Sequence, residues 1–279
     1  MYSINKPLNM EIMSLPSDII TNLVTFVDIV VLVMLKFVNK TLGKIVNEFS
    51  KEHNIKGNSI YFDVLVEKGY TDQLKFLWNE LKYDFVKMQN NKIRIIDKAA
   101  CCGHIGIIQW AQQIGCNYSA LTMGHASLGG QLETIKWLYA NGCTIDSHVD
   151  RFACQLGHIN ILEWMRLTGK KISNEAIQAA AVGGQLETLK WIKLKGYELP
   201  KDIITHAAFS GHIETIKYLR ENNFSWDALT SIKAANYGHA KLLEYLYENG
   251  CPCDFKQIMD VSSGKYKDII AFAQKNMKN

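Results

Sequence analysis

GGQLETIKWLYANGC occupies Gly129–Cys143, and GGQLETLKWIKLKGY occupies Gly183–Tyr197. Over their first nine letters the two stretches differ only at Ile135 against Leu189, and they stand 54 residues apart. Glycine followed by histidine or glutamine recurs at Gly103, Gly130, Gly157, Gly184, Gly211 and Gly238, always 27 residues after the last. The 54 residues are therefore two periods, with GHINILEWMRLTGK from Gly157 to Lys170 as the copy between them. Self-similarity at a fixed period of this length is the mark of a repeat architecture.

Each column of the repeat has a physical job. Four residues before the glycine stands alanine in every copy: Ala99, Ala126, Ala153, Ala180, Ala207 and Ala234. The next position is small as well: Ala100, Ser127, Cys154, Ala181, Ala208 and Ala235. Small side chains at the same helical site in every unit let neighbouring helices approach closely. Five residues after the glycine come Ile108, Ile135, Leu162, Leu189, Ile216 and Leu243. Two further on is an aromatic ring each time: Trp110, Trp137, Trp164, Trp191, Tyr218 and Tyr245. The positions five, eight and nine after the glycine are expected to form one apolar stripe, with charged residues such as Glu133 and Lys136 opposite. Trp164 is expected to be buried between units, so that its loss would cost about 3–5 kcal/mol.

Twelve residues after the glycine the chain has Gly115, Gly142, Gly169, Gly196, Asn223 and Gly250. Glycine and asparagine tolerate the left-handed conformation that closes a helix. Each unit therefore reads as helix, tight turn, helix and capped loop. A unit of this size cannot bury its apolar face alone, so neighbours must stack into a solenoid. The expected fold class is all-α.

The repeat resembles the ankyrin family, whose second half reads AA-x-x-GH-x-E-(I/V)-V-x-(L/F)-L. Ala207-Ala208-Phe209-Ser210-Gly211-His212-Ile213-Glu214-Thr215-Ile216-Lys217-Tyr218-Leu219 lies on that pattern. The period departs from the family's: 27 residues here against 33 there. The Thr-Pro-Leu-His opening is absent too, so the resemblance covers the paired helices and not the projecting finger. Degraded copies are expected at both ends. Gly69–Leu77 fits the second helix of an earlier unit, 34 residues before Gly103, with seven extra residues around Lys87–Lys92. Lys265–Ala273 keeps the phase at the other end, with Ile270 and Phe272 in apolar columns but no glycine expected at the turn.

Composition excludes several classes. Hydrophobic residues make up 48% and charged residues 21%, as in a packed globular chain. The net charge of +4 comes from 31 basic and 27 acidic residues that are scattered rather than clustered. Without a basic tract there is no footprint for nucleic acid. The stretch Ile19–Val38 is long enough for a membrane span but is interrupted by Asn22, Asp28 and Lys36. Met1–Leu15 lacks the basic start and small-residue cleavage site of a signal peptide, so an intracellular protein is expected.

Seven cysteines and eight histidines invite a metal reading, which the repeat largely removes. Cys116, Cys143 and Cys251 share one column, and Cys154 takes the small-residue column. His104, His158, His212 and His239 share the turn position, where Gln131 and Gln185 stand in the other copies. Hydrogen bonding to the turn backbone is their expected role. Cys101-Cys102 and Cys251-Pro252-Cys253 lack a second pair at zinc-ligand spacing. No metal site and no cofactor is expected. No phosphate-cradling glycine loop, nucleophile elbow or H-E-x-x-H motif occurs, and a binding module rather than an enzyme is expected.

Before the repeats, LPSDIITNLVTFVDIVVLVMLKFVNK runs from Leu15 to Lys40. It resembles the F-box, whose pattern is L-P-x-(E/D)-(I/L)-(I/L)-x-x-I-(L/F)-x-(F/Y)-L, then D-L-L-x-L-x-x-V-(C/N/S)-(K/R). Leu15, Pro16, Asp18, Ile19, Ile20, Leu23, Phe26, Leu32, Leu35, Val38, Asn39 and Lys40 fall in register, while Val31 replaces the common aspartate. Three short helices of about 40 residues make a poor independent core, and surplus apolar surface calls for a partner. The alternatives are a plain cap for the solenoid and a membrane anchor. An F-box followed by degenerate ankyrin-like units resembles the ankyrin-repeat sets of mimivirus-like giant viruses. That resemblance implies a host-cytoplasm protein serving a cullin-type (SCF) ubiquitin ligase. The Skp-type adaptor would contact Leu15, Pro16, Ile20, Leu23 and Leu35, and the repeats would hold a protein target. A plain ankyrin-repeat scaffold with no ligase link is the alternative.

The expected organisation is a tail over 1–12, an F-box-like three-helix segment over 13–50, and an ankyrin-like solenoid over 55–279. In ankyrin-like stacks the first helices line the concave side, and positions that vary between copies face the partner. Two columns vary most around the turn. They nominate Lys98, His125, Phe152, Gln155, His206, Phe209, Lys233 and Asn236 as target contacts.

Overall fold

The computed structural model describes residues 65–72, 74, 75 and 95–277. The Leu15–Lys40 segment, with its five expected adaptor contacts, lies outside the described residues. Among the described residues the helices come in pairs. The pairs are α1 (Ile95–Cys102) with α2 (Ile105–Gln113), α3 (Thr122–Leu128) with α4 (Leu132–Ala140), and α5 (Ser147–Leu156) with α6 (Ile159–Leu167). They continue as α7 (Asn174–Val182) with α8 (Leu186–Leu194) and α9 (Ile203–Phe209) with α10 (Ile213–Glu221). The last are α11 (Ala228–Asn236) with α12 (Ala240–Glu248) and α13 (Phe255–Ser262) with α14 (Lys267–Asn276). The second helices begin at residues 105, 132, 159, 186, 213, 240 and 267, so the sequence period is the structural period. No strand occurs among the described residues. The fold is an all-α stack of helical hairpins.

The chain divides into two units, Met1–Lys98 and Ala99–Asn279. In the first, Leu65, Val66, Leu74, Ile95 and Ile96 are buried, and Gly69 turns the chain with φ +76°. Tyr70 N–H donates to the Leu65 carbonyl at 2.9 Å, the bond that recurs at the turns from Gly103 to Gly238. In the second unit, the residue after each turn glycine donates back to the column alanine. Gln131 N–H reaches Ala126 O at 2.9 Å, His158 reaches Ala153 at 2.8 Å, and Gln185 reaches Ala180 at 2.9 Å. The second helix closes in the same way, with Cys143 N–H on Leu138 O at 2.9 Å and Cys251 on Leu246 at 2.8 Å. Each hairpin from α1–α2 to α11–α12 thus carries this left-handed helix ending twice. Asn223, at φ +66°, takes a place held elsewhere by glycine. The last hairpin turns at Gly264 (φ +74°), one residue earlier than the register predicts, which corrects the expectation that it lacks a turn glycine.

First helices start from a second column. Asp146, Ser173, Asp227 and Asp254 are N-caps whose side chains accept from His148, Ala176, Thr230 and Gln257 N–H. In the copy between Ser173 and Asp227 the same place holds Pro200, which has no side-chain acceptor. There the helix begins late, at Ile203, and runs only seven residues. Lys201 and Asp202 are left as a turn.

From α3 onward each first helix packs on the next first helix of the row. The alanine column and its small neighbour make this possible. Ala126, Ala153, Ala180, Ala207 and Ala234 are wholly buried, as are Ser127, Cys154, Ala181, Ala208 and Ala235. Polar groups in this row are satisfied across units. Asp150, buried in α5, accepts from Ser173 N–H at 2.9 Å and Ser173 Oγ at 2.7 Å, the N-cap of α7. Ser127 Oγ donates to Val149 O at 2.6 Å.

The second helices correct two expectations. Their buried columns lie four, five and eight residues after the glycine: Thr134, Ile135 and Leu138 in α4, Thr188, Leu189 and Ile192 in α8. The ninth position is exposed, as at Tyr139 and Lys193, because a helix of 3.6 residues per turn carries it past the core stripe. The aromatic column sits at the edge of the core rather than inside it. Trp110 is buried, but Trp137, Trp164, Trp191, Tyr218 and Tyr245 are half-buried. Trp164 stands edge-on to Tyr139 of the previous copy at 5.5 Å. Lys190 and Lys217 lie over the rings of Tyr218 and Tyr245 at 6.0 and 5.7 Å, one copy ahead.

Two of the turn histidines, His212 and His239, act between units rather than within their own turn. His212 Nε2 lies 2.9 Å from Val182 O, and His239 Nε2 lies 3.0 Å from Phe209 O, each thirty residues back.

Candidate binding face

The variable residues of the first-helix row occupy different settings. Lys98, in the first unit, is ion-paired with Glu67 at 2.5 Å and half-buried. His125 is half-buried, with Nδ1 2.9 Å from Leu121 O. Phe152 is half-buried beneath the Arg151 guanidinium at 5.0 Å, with the His148 ring 6.0 Å away. Gln155 and Asn236 are half-buried. None of these five lines the cavity that gathers the other three.

His206, Phe209 and Lys233 line one groove of about 690 Å³ between α9 and α11. One wall is the Asp202, Thr205, His206 and Phe209 face of α9, at spacings that align on one side of a helix. The other wall is Trp226, Asp227, Leu229 and Lys233. The late start of α9 behind Pro200 places Lys201 and Asp202 at the groove in place of a further turn of helix.

Aromatic and aliphatic surface is left to solvent here. Phe209 is 37% exposed, Leu229 48% and Tyr237 41%. The rings of Phe209 and Tyr237 pack with centroids 4.0 Å apart. Arg220 fixes Trp226 from behind, its guanidinium 4.1 Å from the ring and its Nη1 donating to Phe224 O at 2.8 Å.

The charges divide into those in use and those not. Asp202 accepts from Gln178 Nε2 with both oxygens, at 3.0 and 3.1 Å. Its backbone carbonyl lies 3.2 Å from His206 Nδ1. Asp227 accepts from Thr230 N–H at 3.2 Å and Thr230 Oγ1 at 3.3 Å, as the cap of α11. Lys201 and Lys233 have no ion-pair partner among the described residues.

Column reasoning passed over two of the groove's apolar residues, although both left a mark. Leu229 stands in a column otherwise held by Leu121, His148, Glu175, Asp202 and Lys256, and is one of two apolar residues in it. Trp226 is the largest member of the column Tyr118, Ile145, Ile172, Leu199 and Cys253.

Burial, with the Asp150 carboxylate nearby, pushes the Cys154 thiol far up. Burial, helped by Cys253 and Asp227, pushes Cys251 up to about 12, and burial raises Cys253 too. Nucleophiles and metal ligands need the thiolate, which these environments disfavour. Among the described residues no group of three or more His, Cys, Asp or Glu side chains is placed to hold a metal ion. Among the same residues no helix is long and apolar enough to cross a membrane.

No family model matches the sequence, and no curated protein matches it either. Among solved structures, the human ASB11 ankyrin repeat domain is similar over 76% of this chain and 96% of its own, at 14% identity and a TM-score of 0.34. A pentatricopeptide repeat protein, PPR10, solved with an 18-nucleotide psaJ RNA element, is similar over 96% of this chain and 52% of its own, at 12% identity and a TM-score of 0.30. Both are helical-repeat proteins, and at these scores neither likeness carries an argument about partner or activity.

Proposed function

We propose that this chain is a non-catalytic adaptor whose repeat units hold a protein target. One observation carries the reading. The alanine column and its small neighbour repeat and are buried, whereas His206, Phe209 and Lys233, which vary between copies, converge on a groove with exposed aromatic surface. A side chain that holds the stack must be the same in every unit, while one that reads a partner need not be. Aromatic anchors in a pocket are the common currency of protein recognition.

On the same reading, residues 13–50 dock a Skp-type adaptor of a cullin-type ubiquitin ligase through Leu15, Pro16, Ile20, Leu23 and Leu35. The support is the ungapped F-box-like register in the sequence. The work would then be done in the cytoplasm of the host cell. A plain repeat scaffold without a ligase link is the competing reading, supported by the groove alone.

A pull-down of the full chain with a Skp-type adaptor separates the two. Wild type should retain the adaptor, and a Leu15→Ala, Pro16→Ala, Leu35→Asp variant should lose it while melting at the same temperature. Equal retention by both, or retention by neither, would favour the plain scaffold.

A further inference from the structure

Resting on the reading of the α9–α11 groove as the target site, we propose that its occupant is an extended protein segment carrying a carboxylate between two apolar side chains. The order follows from the period. Residues one repeat apart sit side by side in neighbouring first helices, so Leu229 stands at the level of Asp202, Lys233 at that of His206, and Phe209 at that of Val182. The groove therefore runs from an end where Trp226 and Leu229 stand beside Asp202 and Asp227, past a basic middle at Lys233 and His206, to an apolar end at Phe209.

The occupant's charge is set by what the walls leave unanswered. Both carboxylates are already engaged, Asp202 by the Gln178 amide and Asp227 by Thr230 in capping α11. Lys233 is half-buried without an ion-pair partner among the described residues, and Lys201 at the rim is likewise unpaired. A carboxylate placed between the apolar ends would meet Lys233 and complete the groove, whereas a cation there would face Lys233. Charge arrangement of this kind governs which partners are rejected more than it sets raw affinity.

Length limits the motif. The levels from Leu229 to Phe209 span about seven helical residues at 1.5 Å each, roughly 10 Å. An extended strand covers that distance in about three or four residues. The apolar ends and the scarcity of cations favour a peptide over a nucleic-acid strand, which would need a tracked row of basic side chains.

The test selects random dodecapeptides displayed on phage against the immobilised full chain. The enriched peptide is then synthesised and titrated by fluorescence anisotropy. The expected consensus is an Asp or Glu flanked within two residues on each side by Leu, Ile, Phe or Trp. Lys233→Glu should weaken that peptide about tenfold, and changing the peptide's acidic residue to lysine should restore binding to Lys233→Glu alone. Lys233→Met, which keeps the alkyl stem, should weaken it without creating the swapped preference. A neutral or basic consensus, an affinity unmoved by Lys233→Glu, or displacement of the peptide by an oligothymidine strand would overturn the inference. Phe209→Ala separates the two levels of failure. A neutral consensus that still loses binding in Phe209→Ala sinks the acidic occupant and leaves the groove as target site. Peptides indifferent to Phe209→Ala, or no enrichment at all, sink both.

Discussion

Each hairpin from α1–α2 to α11–α12 is closed at two ends by a residue in the left-handed conformation, yet the two ends are different places. At the inner turn, a Cβ on Gly184 would stand 2.5 Å from the His212 ring, and one on Gly103 would stand 2.5 Å from the Gln131 amide. At the outer end, Gly115, Gly142, Gly169, Gly196 and Gly250 have nothing within 4 Å of the same position. Asparagine enters the outer series, at Asn223, and never the inner one. The outer residue has only to adopt a conformation, whereas the inner one must also leave room for the next unit. A third kind sits between them. Gly183 has an ordinary φ of −76°, but a Cβ there would overlap the Gln155 carbonyl oxygen of the previous unit. Gly129 stands in the same relation to Cys101.

The two copies with this third glycine are the two whose turn residue is glutamine, Gln131 and Gln185. In copies with Ser210 and Tyr237 at that place the turn residue is a histidine, and its Nε2 meets the corresponding carbonyl of the previous unit. The chain thus answers one backbone carbonyl in two ways, by close backbone approach or by an imidazole.

Substitutions ranked by these contacts can break the distinction. Gly183→Ala should cost most, about 3 kcal/mol, because backbone must move against backbone. Adding Gln185→His to Gly183→Ser should recover part of the loss, by rebuilding the Ser210-Gly211-His212 arrangement one unit earlier. No recovery would mean that the two arrangements are not interchangeable. Gly184→Ala comes next at about 2 kcal/mol, combining left-handed strain with displacement of the His212 ring from Val182 O. Gly196→Ala should cost only the strain, about 1 kcal/mol. All three are read as shifts of the urea midpoint of the full chain at constant slope. Equal costs for Gly184→Ala and Gly196→Ala would show that the covering ring carries no weight.

Most of the stack was legible because it repeats. The alanine column announced close helix approach, and the glycine columns announced two helix ends, since each can be checked six times within one chain. Trp164 was misplaced because a large ring in a repeated column looks like core. Its half-burial depends on Tyr139 of the neighbouring copy, which no single copy shows. His212 and His239 were assigned to their own turns because their acceptors lie thirty residues away in sequence. The groove was legible only in part. His206, Phe209 and Lys233 stood out as variable positions, but the cavity comes from irregularities in two adjacent copies at once. Pro200 removes a cap, Trp226 enlarges one column and Leu229 makes another apolar. Each is a visible departure, and their meeting is a fact of three dimensions.

The buried cysteines turn the stack into its own reporter. Cys116, Cys143, Cys154 and Cys251 lie between 0% and 8% exposed, spread along the row of units, and at least Cys154 and Cys251 are held as thiols by burial. A thiol reagent can reach such a sulfur only while its unit is open. In a linear array whose stability is carried by nearest neighbours, opening starts where a unit has a neighbour on one side alone. The order in which these four sulfurs are labelled would therefore trace, unit by unit and without any engineered probe, the direction in which the stack unzips.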